Sequence, residues 1–127
     1  MGICMSGWKQ HGLVFGDDEN RLAEHAWYAD NAGGETHPVR QKARNAWGLY
    51  DMLGNVWEWC ANGLRTYDAD WKLDPPGRLG AGADRVLRGG SWRVHARRCR
   101  SAYRYGSAPG RRYDFFGFRC ARAQVQS

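Results

Sequence analysis

The sequence predicts a loop-rich fold of short strands with little helix. Two observations carry that reading. Glycine accounts for 17 of 127 residues and aromatics for 13%, a mix that suits short strands and turns better than a helical bundle. Trp57 and Trp59 stand two apart, so on an extended strand they share a face while Glu58 takes the other. At 127 residues the chain is one domain by length, and it can bury roughly two-thirds of its unfolded surface. An irregular segment over 1–20 precedes a domain over 21–127.

The chain is organised around Trp47 to Cys60. Leu49, Met52 and Leu53 supply apolar bulk. Gly54-Asn55 signals a turn, because both residues tolerate positive φ. The stretch reads as a turn running into a buried strand that nucleates the core. Glu58 is costly to bury between two tryptophans unless something pairs with it. Either it lies on a wet face or meets an arginine, or it helps hold a hard metal ion. In the second case Asp51 and Glu58 supply carboxylates, and Gly54 and Val56 supply carbonyl oxygens, a donor set that calcium takes.

The remaining elements follow in order. Residues 1–16 are irregular, and Asp17 to Asn20 form an acidic turn. Arg21 to Asp30 can form a short helical turn with Leu22, Ala26 and Trp27 facing in. Residues 31–34 are loop, and Glu35 to Val39 are extended, since Pro38 disfavours helix at His37. Residues 61–84 read as one long loop. Arg85 to Arg88 form a short strand, and Gly89-Gly90 mark a bulge or a close backbone approach. Residues 93–116 are irregular, and Gly117 to Arg122 form a final short strand.

Charge is unevenly placed. Residues 1–84 carry 8 Lys/Arg against 12 Asp/Glu, whereas residues 85–122 carry 11 arginines against Asp114 alone. Arginine without lysine suggests use of its planar, bidentate geometry. Those arginines either thread between aromatics and meet the acidic first half, or form a nucleic-acid surface. No apolar run approaches the ~18 residues of a membrane span. No signal-peptide pattern opens the chain, so cytoplasmic localisation is the default expectation. Met1-Gly2 with Ser6 fits the outline of a myristoylation pattern, with nothing else pointing to a membrane. Cys4, Cys60, Cys99 and Cys120 form no Cys-x-x-Cys pair. Reduced thiols are the default, and a bridge from Cys60 or Cys99 to Cys120 is the alternative.

Asn45-Ala-Trp-Gly-Leu-Tyr-Asp-Met-Leu-Gly-Asn-Val-Trp-Glu-Trp59, Arg85-Val-Leu-Arg-Gly-Gly-Ser-Trp92, Cys99-Arg-Ser-Ala-Tyr-Arg104 and Gly117-Phe-Arg119 occur in this order. Together they resemble the C-terminal half of the formylglycine-generating enzyme (sulfatase-modifying factor) family, over about residues 24–122. The resemblance implies an α+β, C-type-lectin-like fold with short twisted antiparallel strands, little helix and long loops. It also implies a structural calcium held by Asp51 and Glu58 side chains and by Gly54 and Val56 carbonyls. The family's usual N-terminal half, with two helices, has no counterpart in residues 1–20. A sheet face left bare in this way implies a homo-oligomer.

The family's enzymes activate copper with two cysteines, three and eight residues after the serine of Gly-Gly-Ser. From Ser91 those positions are Val94 and Cys99. A bis-thiolate site needs two soft sulfurs, so Val94 argues against copper and against oxidation of a substrate cysteine by that route. If the chain is an enzyme, Cys99 and Ser91 are in its site. His11, His25, His37 and His95 are scattered and read as turn or surface residues.

Residues 93–116 carry a different signal. Arg93, Val94, His95, Arg98, Tyr103, Tyr105, Gly106, Ser107, Arg112, Tyr113, Asp114, Phe115 and Phe116 combine aromatic anchors with small adaptable residues and arginine, as binding surfaces do. The segment resembles the diversified region of variable proteins made by diversity-generating retroelements, which use this scaffold and mutate adenines of asparagine codons. Such codons cannot become Lys, Gln, Glu, Met or Trp, and none of these occurs in 93–116. The leading expectation is a non-catalytic module that displays this segment to a protein ligand. The alternatives are a formylglycine-generating-type oxidase, a degenerate member of that family, and an arginine surface for nucleic acid.

Overall fold

The computed structural model describes residues 19–64 and 82–122. A 3-10 turn, Glu19–Arg21, leads into a four-residue helix α1, Leu22–His25. Then come strands β1, Trp57–Gly63, and β2, Arg85–Arg88, a second 3-10 turn, Ala96–Arg98, and strands β3, Tyr105–Ser107, and β4, Phe116–Gly117. The four strands form one sheet in the order β3-β2-β1-β4. It is mixed: β1 runs antiparallel to β2 but parallel to β4, where an all-antiparallel arrangement was expected. Little helix, short strands and long connections otherwise match the expected α+β class.

Alternation along β1 decides the layout. Trp59 pairs with Leu87, Leu87 pairs with Tyr105, and Trp57 pairs with Phe116. Paired residues share a face of a sheet, so this register gathers Tyr105, Leu87, both tryptophans and Phe116 on one side. Glu58 falls on the other side, opposite Arg88 and Gly117. Trp57 and Leu87 are almost fully buried, whereas Trp59 is half-buried.

The Gly54-Asn55 turn is the hub that joins the N-terminal segments to the sheet. Gly54 and Asn55 both have positive φ, 75° and 62°, as their residue types permit. Gly54 N–H donates to Gly89 O at 2.7 Å, and Asn55 N–H donates to Trp27 O at 2.7 Å. Asn55 O accepts from Trp92 N–H at 2.9 Å. The buried Asn55 side chain adds a second bracket: its Oδ1 accepts from His37 N–H and its Nδ2 donates to His37 O. A core cluster of Leu22, Ala26, Tyr28, Leu53 and Cys99 packs beneath this hub.

Several expectations need correction. The helical turn ends at His25 rather than running to Asp30, although Leu22 and Ala26 are fully buried as expected. Residues 93–116 are not wholly irregular, since they hold a 3-10 turn and β3. Gly106 in the middle of Tyr105–Ser107 hides that strand from pattern reading. The last strand covers Phe116–Gly117, not Gly117 to Arg122; only Phe116 and Gly117 pair with β1, and the Arg119 side chain beyond them bonds Glu58 and Tyr50. β1 reaches Gly63, so the expected loop starts later, and residues 65–81 and 1–18 lie outside the described residues. Cys60 is disulfide-bonded rather than reduced. Cys99 and Cys120 are both free, so neither bridge to Cys120 forms.

Candidate functional site

The aromatic residues of 93–116 and the tryptophans of β1 form one connected array. Tyr105 lies 5.4 Å from Trp57 and 6.2 Å from Phe116, ring centre to ring centre. Tyr103 packs on Trp57 at 5.8 Å. Phe116 meets Trp59 edge-on at 5.3 Å, and meets Tyr113 and Phe115 edge-on at 5.0 and 4.9 Å. Tyr113 stacks on Phe115 at 4.9 Å with planes only 7° apart. Offset and edge-on contacts of this kind contribute about 0.5–1.5 kcal/mol each beyond area burial. They also fix the rings before any ligand arrives, which lowers the entropy cost of binding.

The array is a surface rather than a core. Tyr105 is 38% exposed and Tyr113 45%. Two arginines sit on its rings: Arg93 lies 5.0 Å from the Phe115 centre and 5.6 Å from Trp92, and Arg98 lies 5.8 Å from Tyr103. Both are exposed, as are His95, Arg112 and Asp114, while Tyr103, Ser107, Phe115 and Phe116 are half-buried. Two of the candidate residues are not free surface. Val94 packs against the core cluster, and its carbonyl accepts from Ala29 N–H at 3.0 Å. Gly106, half-buried, is covered by the exposed Leu64 side chain so closely that a Cβ there would collide with it. The tryptophans as the floor of the surface escaped sequence reading; the signal was the i, i+2 spacing that puts both on the anchors' face.

A second feature surrounds Glu58. Asp51, Gly54, Val56 and Glu58, the four calcium candidates, line one cavity of about 510 Å³ with Arg119 and Tyr50. Arg119 grips Glu58 in a fork, Nε to Oε2 at 2.9 Å and Nη2 to Oε1 at 2.8 Å. Its Nη2 also donates to the Tyr50 and Asp51 carbonyls at 3.0 and 2.9 Å. The Glu58 carboxylate thus raises the Arg119 pKa against the opposing effect of burial. The arginine partner that Glu58 required is Arg119, and the Gly117-Phe-Arg motif gave no hint of that role.

The donor set still fits a hard cation. Asp51 is 7% exposed, its Oδ2 accepts from Arg40 N–H at 2.8 Å, and its buried Oδ1 has no hydrogen-bond partner. An ionised carboxylate accepts at about four positions, so the Arg119 fork leaves Glu58 with capacity. Among the described residues no three His, Cys, Asp or Glu side chains cluster as a metal site. A cation here would therefore rest on two carboxylates and backbone carbonyls.

The third feature is the position of the copper cysteines. Cys99 and Ser91 are both fully buried. Burial pushes the Cys99 thiol up to about 12, although the backbone N–H groups of Gly54 and Ser91 pull the other way. The side chain at the partner position is the valine packed into the core. One protonated, water-excluded thiol beside a valine does not fit a bis-thiolate copper site. Cys120, also free, is exposed. His37 is a stacking partner of Trp27, 3.7 Å between ring centres, and His95 is exposed.

The chain is similar to several known proteins. The sulfatase-modifying factor enzyme 1-like domain model matches residues 8–124. Formylglycine-generating enzyme of Streptomyces coelicolor is 40% identical over 101 residues, 76% of this chain and 32% of that protein. The inactive C-alpha-formylglycine-generating enzyme 2 of Bos taurus is 40% identical over 83 residues, 61% of this chain and 23% of its own length. The chain thus spans about a third or less of the length of these relatives. Among solved structures, Treponema denticola variable protein 1 superposes with a TM-score of 0.79 at 37% identity, covering 88% of this chain and 41% of that one. No described helix is long and apolar enough to cross a membrane. By sequence motif, fold and domain match, the chain belongs to the sulfatase-modifying factor enzyme 1-like family.

Proposed function

We propose that this chain is a non-catalytic binding module that displays residues 93–116 to a protein ligand on a C-type-lectin-like scaffold. The observation that carries the reading is the connected array of Tyr103, Tyr105, Tyr113, Phe115 and Phe116 with Arg93 and Arg98. Aromatic and arginine residues dominate binding hot spots. The 37% identity to Treponema denticola variable protein 1 supports reading the segment as a diversified surface. Catalysis by a formylglycine-generating route would need a second sulfur at Val94. Copper(I) titration against a thiol competitor separates the two readings. The binding module retains no sub-micromolar copper at Cys99; tight copper bound there would restore the oxidase.

Two accessory features belong to the same reading. Calcium bound by Asp51, Glu58 and the Gly54 and Val56 carbonyls would brace the turn that enters β1. The chain would also self-associate through the cavity rim, where Phe118 and Val39 are 76% and 69% exposed. Sedimentation of a Phe118→Ser variant tests this: it should shift the chain to monomer, and a wild type that is already monomeric at micromolar concentration contradicts it.

A further inference from the structure

We infer that the ligand of this surface is an acidic protein segment, recognised by its carboxylates. The inference rests on the binding-module reading above and names the partner's chemistry. Residues 93–116 hold seven arginines and one acid, Asp114. Among the described residues, intrachain pairing does not absorb all of them. Arg100 meets Glu19 at 3.2 Å, but among the described residues Arg93, Arg98 and Arg112 have no ion-pair partner. Of the other described acids, Glu58 is engaged by Arg119 and Glu24 by Arg21.

The arginines are also held in place. Arg93 rests on Phe115 and Trp92, and Arg98 rests on Tyr103. A guanidinium held against a ring keeps its in-plane N–H groups for another partner. Those groups match the two oxygens of a carboxylate. Holding the cation on an aromatic lowers the ordering cost of that bidentate contact.

Single-stranded nucleic acid is the competing partner, since it too uses aromatics with arginine. The ring contacts disfavour it at the two rings that carry the arginines. Base stacking needs free ring faces, and Phe115 is engaged by both Tyr113 and Arg93, while Tyr103 is engaged by Trp57 and Arg98. Carboxylates need only the guanidinium edges, and Arg93 and Arg98 are both exposed residues.

The test uses the full chain and a random 12-residue peptide library displayed on phage. Selection is repeated on a Tyr105→Ala/Tyr113→Ala variant and on an Arg93→Lys/Arg98→Lys variant that keeps the charge. Circular dichroism checks that each variant folds. Enriched peptides should be rich in Asp and Glu, and should bind the lysine variant about tenfold or more weakly, the scale of a lost charge-assisted hydrogen bond. A length-matched oligothymidylate should bind more weakly than those peptides. Neutral or basic peptides that depend on the tyrosines would overturn the acidic partner and leave the binding module standing. Enrichment indifferent to the tyrosine pair, or no enrichment, would overturn both. An oligothymidylate that binds more tightly than the peptides and loses affinity in the lysine variant would replace the acidic segment with nucleic acid.

Discussion

A Cβ on Gly54 would collide with the backbone of Trp27, and the residue's φ of 75° strains any L side chain. Gly54→Ala should therefore cost at least about 2 kcal/mol, combining strain with a displaced backbone contact; urea denaturation measures it. Asn55→Ala leaves the His37 N–H and carbonyl without partners inside the fold. It should cost about 1–3 kcal/mol by the same measurement. Cys99 gives a pH signature. Its thiol is raised from 9.0 to about 12 by burial, so the unfolded chain loses this proton first. The stability it contributes is full below pH 9 and falls as pH rises towards 12. Cys99→Ala should flatten that alkaline decline. In native protein, iodoacetamide should label Cys120 and spare Cys99. Tyr28, also raised by burial, adds to the decline and persists in the variant.

Between elements, Arg119 is the clasp that holds β4 and the Tyr50-Asp51 segment to β1. The pair is partly exposed, 33% for Arg119 and 22% for Glu58. Removing one partner should thus cost less than a fully buried ion pair, about 1–3 kcal/mol rather than 3–5. A double-mutant cycle with Arg119→Met and Glu58→Gln should show a coupling energy of more than about 1 kcal/mol. Additive single effects would show that the fork is decorative. The sequence disclosed β2 to the residue and the positive-φ turn before β1, because both rest on local chemistry: Val-Leu flanked by polar residues, and Gly-Asn. It could not disclose β4 or its parallel pairing with β1, since two residues carry no periodicity. The partner of Glu58 was equally hidden, sixty-one positions away in sequence.

Across the molecule, the sheet register turns a variable-looking segment into one surface. Residue types alone announced the aromatic anchors and the arginines, but not that Trp57 and Trp59 form their floor. That follows only once β3 and β4 flank the β2-β1 pair. Val94 and Gly106 show the converse: their neighbours in sequence face out, but Val94 packs against the core and Gly106 is covered by Leu64. Calcium, if it braces the hub, should raise Tm at millimolar concentration by mass action. Asp51→Asn with Glu58→Gln should abolish the rise, and a wild-type Tm indifferent to calcium would contradict the site.

On the proposed function, residues 93–116 are a diversified display surface rather than part of an enzyme. Sequencing the DNA that flanks the gene tests it most directly. A diversified surface requires a reverse-transcriptase gene there and a near-copy of the stretch encoding 93–116, with differences confined to adenines of the copy. Flanking DNA with neither, and a coding stretch invariant among related isolates, would contradict it.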